Sequence, residues 1–131
     1  MPDKSLLLRT FNSQFFAFLD DIITIIPDEE IIKSKAYFET IKTLNPSLLN
    51  KIWFSYIESN YHHEILAGNI DFFLEKDYEA DLVNLPNAKQ IVNTIDTSLR
   101  EPLKKMDATN RDHCKDHIIL LSKLSRAYND A

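Results

Sequence analysis

Between Lys4 and Ile26 the apolar side chains Leu8, Phe11, Phe15, Phe18, Leu19, Ile22, Ile23 and Ile26 recur at steps of three and four. That spacing places them along one side of an α-helix. Arg9, Asn12, Gln14, Asp20 and Asp21 lie off the row, with Phe16 and Ile25 at its edges. Pro27 ends the segment, because it has no amide to extend the hydrogen-bond ladder. Asp28, Glu29 and Glu30 follow, and carboxylates in a first turn interact favourably with the positive end of a helix. A second helix is predicted to about Leu44, with Ile31, Ile32, Ala36, Phe38, Ile41 and Leu44 inward and Lys33, Glu39 and Lys42 outward. The short connection predicts an antiparallel hairpin.

The stretch from Asn45 to Gly68 carries the strongest pattern. Asn45 is a predicted N-cap, Pro46 suits the first helical position and Gly68 suits the left-handed closing residue. Leu49, Ile52, Trp53, Tyr56, Ile57, Tyr61 and Ile65 form one broad apolar and aromatic face. Beyond Gly68 the helical period breaks. Asp71, Glu75, Asp77, Glu79 and Asp81 alternate there with Ile70, Phe72, Phe73, Leu74 and Tyr78. A short helix near Ile70–Glu75, then a turn or second short helix to Leu82, is expected to cross the bundle. Pro86 opens a further helix with the row Ile91, Val92, Ile95, Leu99 and Leu103, which Pro102 must kink or break. Asp107 caps the last helix, predicted to about Tyr128 with Cys114, His117, Ile118, Leu121, Leu124 and Tyr128 inward. The pattern predicts an all-α chain: residues 1–131 as a single domain, a bundle of five to six helices with a short acidic–aromatic crossing segment.

Composition narrows the chemistry. With 131 residues the chain is one domain by length, and its formal charge of -5 argues against wholesale wrapping of nucleic acid. A single glycine rules out the glycine-rich loops on which P-loop and dinucleotide-binding sites depend. One cysteine excludes an internal disulfide and fits a reducing compartment. No apolar run reaches the roughly 18–20 residues of a membrane span. The opening M-P-D-K-S-L-L-L-R-T-F has none of the three parts of a secretory signal. The expected setting is therefore intracellular.

His113-Cys114-x-x-His117 is the sharpest chemical constellation, since two imidazoles four residues apart on a helix can face one ion. Against a metal site, no second cysteine or ligand pair elsewhere completes a tetrahedron, and Cys114 and His117 fall on the apolar row. Neighbouring helical residues do not face each other, so a Cys–His nucleophile pair is not expected either. No catalytic residue, cofactor or metal is expected. The acidic–aromatic run is different in kind. Asp71, Phe72, Phe73, Glu75, Asp77, Tyr78 and Asp81 suit a partner-binding surface, the rings as anchors and the carboxylates setting orientation. Arg100, Lys104, Lys105, Arg111, Lys115, Lys123 and Arg126 make the last quarter basic, which suits phosphate contact. Glu101, Asp107, Asp112 and Asp116 interleave with them, a pattern typical of intrahelical ion pairs.

Four segments, F-N-S-Q-F-F-A-F-L-D-D-I-I, N-P-S-L-L-N-K-I-W, G-N-I-D-F-F-L-E-K-D-Y and L-S-K-L-S-R-A-Y-N, resemble a family of small helical proteins encoded by giant viruses, the nucleocytoplasmic large DNA viruses. The resemblance implies a viral protein of the host cytoplasm or the virion, and it carries over no active-site residue. The expected function is that of a non-enzymatic helical interaction module, a minor virion or assembly component with a protein partner or a second copy of itself. The alternative is a nucleic-acid-associated factor using the basic last quarter.

Overall fold

The computed structural model describes residues 3–69 and 88–131, and they are helical almost throughout. The helices are α1 (Lys4–Ile25), α2 (Glu29–Leu44), α3 (Leu48–Trp53), α4 (Ser59–Leu66), α5 (Ala88–Ile95), α6 (Glu101–Lys105) and α7 (Ala108–Asp130). A π-helical turn, Phe54–Glu58, joins α3 to α4, and a second, Asp96–Arg100, joins α5 to α6. Five helical rods therefore make up the described residues, and the chain is all-α. The predicted crossing segment, with the proposed contact residues Asp71 to Asp81, lies outside the described residues.

Caps set most of the boundaries. Asp3, Asp28 and Asp107 each accept a hydrogen bond from an amide of the following turn, those of Ser5, Glu30 and Asn110. Gly68 adopts φ of 77°, the left-handed conformation that closes α4. Asn45 does not cap α3. It ends α2 instead, its amide bonded to the Ile41 carbonyl, and α3 begins after Ser47. The carbonyl of Pro46 accepts from the Asn12 side chain, which draws Asn12 inward from its predicted outer position.

One core draws on every rod. Phe11, Phe15, Phe18, Leu19 and Ile22 of α1 meet Leu49, Ile52, Trp53, Tyr56 and Ile57 of the central rod. Ile91, Val92, Ile95, Leu99 and Leu103 close one side, with Cys114, Ile118 and Leu121 of α7 on another. Trp53 stands edge-on to Phe11 and Phe15, and its Nε1 donates to Ser122 Oγ at 3.0 Å. Helices α1 and α7 share the most extensive helix–helix interface described. They run antiparallel, as the pairs Lys4–Tyr128 and Asp21–His117 require.

The inward set predicted for α2 needs correction. Helix α2 buries only Ile31 and Phe38, with Tyr37 and Ile41 half-buried. Ile32, Ala36 and Leu44, expected inward, face outward. The hairpin with α1 does form, through Phe15 against Phe38 and Lys35 on Asp20. At Pro102, where a kink or a break is expected, the rod is locally distorted but not broken. The π-helical turn just before it widens the backbone where the proline ring would crowd the preceding carbonyl, so the rod continues to Lys105.

Candidate functional site

Helix α7 places His113 and His117 one turn apart, on the flank beside its buried row of Cys114, Ile118 and Leu121. The antiparallel partner α1 brings Asp21 to the same place from 92 residues away. Asp21 Oδ2 lies 2.5 Å from His117 Nε2 and 3.1 Å from His113 Nε2. The His117 ring stacks on Phe18, with centroids 5.0 Å apart and planes 12° from parallel. Burial pushes the Asp21 carboxyl up, but the hydrogen bonds and charges of His117 and His113 outweigh it and hold the group below its ordinary value. A shallow concavity of about 210 Å³ opens beside the cluster, lined by Gln14, His113, Asp116, His117 and Leu120.

The sequence offered His113, Cys114 and His117 as one group, and the structure divides them. Cys114 points into the core, fully buried, with its Sγ 3.7 Å from Met106 Sδ. Burial, helped by the negative charge of Asp21, pushes the thiol up to about 11, so it does not supply a thiolate at neutral pH. The third polar partner of the histidines is a carboxylate that spacing alone had no means of assigning to them.

Because the folded thiol holds its proton above the ordinary value of 9.0, its contribution to stability is complete below pH 9 and lost as pH rises through about 11. Denaturant titrations should show the wild type losing on the order of 2 kcal/mol over that interval relative to Cys114→Ala. Native protein should resist iodoacetamide at pH 8 and react fully in urea. Rapid native alkylation would contradict the burial.

A second polar cluster, with Glu58 buried and His62 and Arg126 about a third exposed, lies at the first π-helical turn. The Glu58 side chain is 3 % exposed, and its Oε2 accepts from Arg126 Nε at 2.6 Å and His62 Nδ1 at 2.7 Å. The Arg126 guanidinium also lies 5.7 Å from the Phe54 ring centroid. Nearby, Asn129 Nδ2 donates to the buried Asn50 Oδ1. These groups join α7 to the central rod.

The basic side chains of the last quarter are largely engaged within the protein. Arg100 pairs with Asp96, Lys104 with Glu101, Lys115 with Asp112 and Arg126 with Glu58. Arg111 donates to the carbonyls of Leu103, Lys104 and Met106, capping the end of α6. Between α1 and α2 an open groove of about 640 Å³ is lined by Arg9, Asn12, Phe16, Asp20, Lys35 and Lys42 among others. Lys42 Nζ sits 4.9 Å from the centroid of the Phe16 ring in its wall.

The chain matches no family model, no curated protein and no solved structure. No helix among the described residues is long and apolar enough to cross a membrane.

Proposed function

We propose that the protein is a non-enzymatic helical interaction module that works by docking a helix of a protein partner. One observation carries the reading: Ile32, Ala36, Thr40 and Leu44, each four residues from the next, form a solvent-facing ridge along α2. Ile32 is 48 % exposed and Leu44 79 % exposed, although both belong to the helix's apolar set. A ridge at i+4 spacing is the shape that packs into the groove of another helix. The acidic–aromatic run Asp71, Phe72, Phe73, Glu75, Asp77, Tyr78 and Asp81 supplies a second contact element from the sequence. The sequence resemblance supports a setting in the assembly of a large DNA virus.

The ridge is tested by Ile32→Glu with Leu44→Glu, and the acidic–aromatic run by Phe73→Ala with Tyr78→Ala. Surface changes of the first kind should move stability by no more than about 0.5 kcal/mol each. Both double variants should keep the wild-type circular dichroism spectrum and lose the partner that the wild type retains in quantitative co-purification. Retention of the same partners by both folded variants would refute the reading.

A further inference from the structure

The geometry points to a transition-metal site at Asp21, His113 and His117, one that takes zinc or a neighbouring divalent ion and clamps α1 to α7. The ligand atoms of these three side chains all lie within 4.8 Å of one another. Two histidines four residues apart on one helix face are the recurring two-point zinc ligand, and a carboxylate from a second helix completes a three-ligand set. Two imidazoles and one carboxylate select zinc, nickel or cobalt over magnesium and calcium, which prefer oxygen alone.

The two separations from Asp21 come close to what such an ion requires, and the ligand nitrogens of the two imidazoles lie within 4.8 Å of each other. Bonds of about 2.0–2.1 Å in tetrahedral geometry set ligand atoms roughly 3.3 Å apart. The His113 Nε2–Asp21 Oδ2 separation of 3.1 Å is already close, and the 2.5 Å separation to His117 is a hydrogen bond that an ion would open by less than an ångström. His117 is the fixed ligand, its side chain 15 % exposed and held against Phe18. Asp21 and His113, at 41 % and 58 %, have room to adjust. Three protein ligands leave a coordination position open, and the concavity lined by Gln14, Asp116 and Leu120 has space for water there. The other adjacent histidines, His62 and His63, lack this arrangement: His62 Nδ1 is committed to buried Glu58.

Zinc chloride titrated into untagged full-length protein, followed by calorimetry and by thermal unfolding, tests the assignment. One equivalent should bind with micromolar affinity and raise the melting temperature, while magnesium chloride should do neither. Asp21→Asn and His113→Gln should each weaken zinc at least about tenfold, and His63→Gln should leave it unchanged. His113 is exposed, so His113→Gln tests the site even if Asp21→Asn does not fold. Absence of saturable binding at millimolar zinc would overturn the proposal. So would equal affinity in wild type and His113→Gln, or loss in the histidine variant with full retention in a folded Asp21→Asn.

Discussion

Trp53→Ala should cost about 3–5 kcal/mol, the range for truncating a large aromatic side chain in a packed core. The indole is fully buried and touches both Phe11 and Phe15, so its loss opens a cavity at the junction of α1 and the central rod. It also strips Ser122 of its indole donor across the interface with α7. A domain of this size has only about 5–15 kcal/mol to lose, so the variant should be barely folded at physiological temperature. Two milder changes separate the contributions. Ser122→Ala removes the hydrogen-bond acceptor and should cost about 1 kcal/mol, while Trp53→Phe should fall between. Urea titrations with an unchanged slope would read these as native-state effects. A Trp53→Ala cost below about 1 kcal/mol would mean that the indole is not where the core closes.

Arg126→Ala is the second large effect, at about 3 kcal/mol. Glu58 is buried at the π-helical turn, and the guanidinium is its main cationic partner. Removing one member of a buried pair leaves the other desolvated and uncompensated, which usually costs about 3–5 kcal/mol. The His62 hydrogen bond and the partial exposure of Arg126 place this case at the low end. Glu58→Gln should cost less, because its amide oxygen still accepts from Arg126. The double variant should be more stable than the sum of the two singles implies, by about 1 kcal/mol or more. Strict additivity would show that the two side chains do not depend on each other.

The helices were legible because their rows are long and their breaks are chemical. The row Ile91, Val92, Ile95, Leu99 and Leu103 is predicted inward and is buried, and Asp107 caps α7 as its position predicts. Periodicity failed on α2, where Ile32 and Leu44 continue an apolar pattern that the fold leaves uncovered. A hydrophobic count says that a face is greasy, not that something within the same chain will cover it. The π-helical turns were also invisible, since an extra backbone residue has no composition of its own; only Pro102 hinted at the second.

The polar sites depended on distance in space rather than in sequence. His113 and His117 announced themselves by their spacing, but Asp21 sits on α1 among ordinary surface acids such as Asp20. Nothing marks it until the antiparallel pairing of α1 and α7 sets it against the two rings. Glu58 looked equally ordinary, a charge within an aromatic stretch, and became an interior group through Arg126. Long-range pairing decides such roles, and one-dimensional patterning carries little of it.

The pairing of α1 with α7 has a price during synthesis. α1 is complete at Ile25 and α7 starts at Ala108, so about 80 further residues must be translated before the two can meet. At about 5–20 residues per second the ribosome takes roughly 4–16 s over that interval. α2 emerges early enough to cover Phe15, but Phe18 waits for His117. A nascent chain stalled before α7 therefore presents a greasy helix to chaperones and proteases, and synthesis of α7 is what withdraws it.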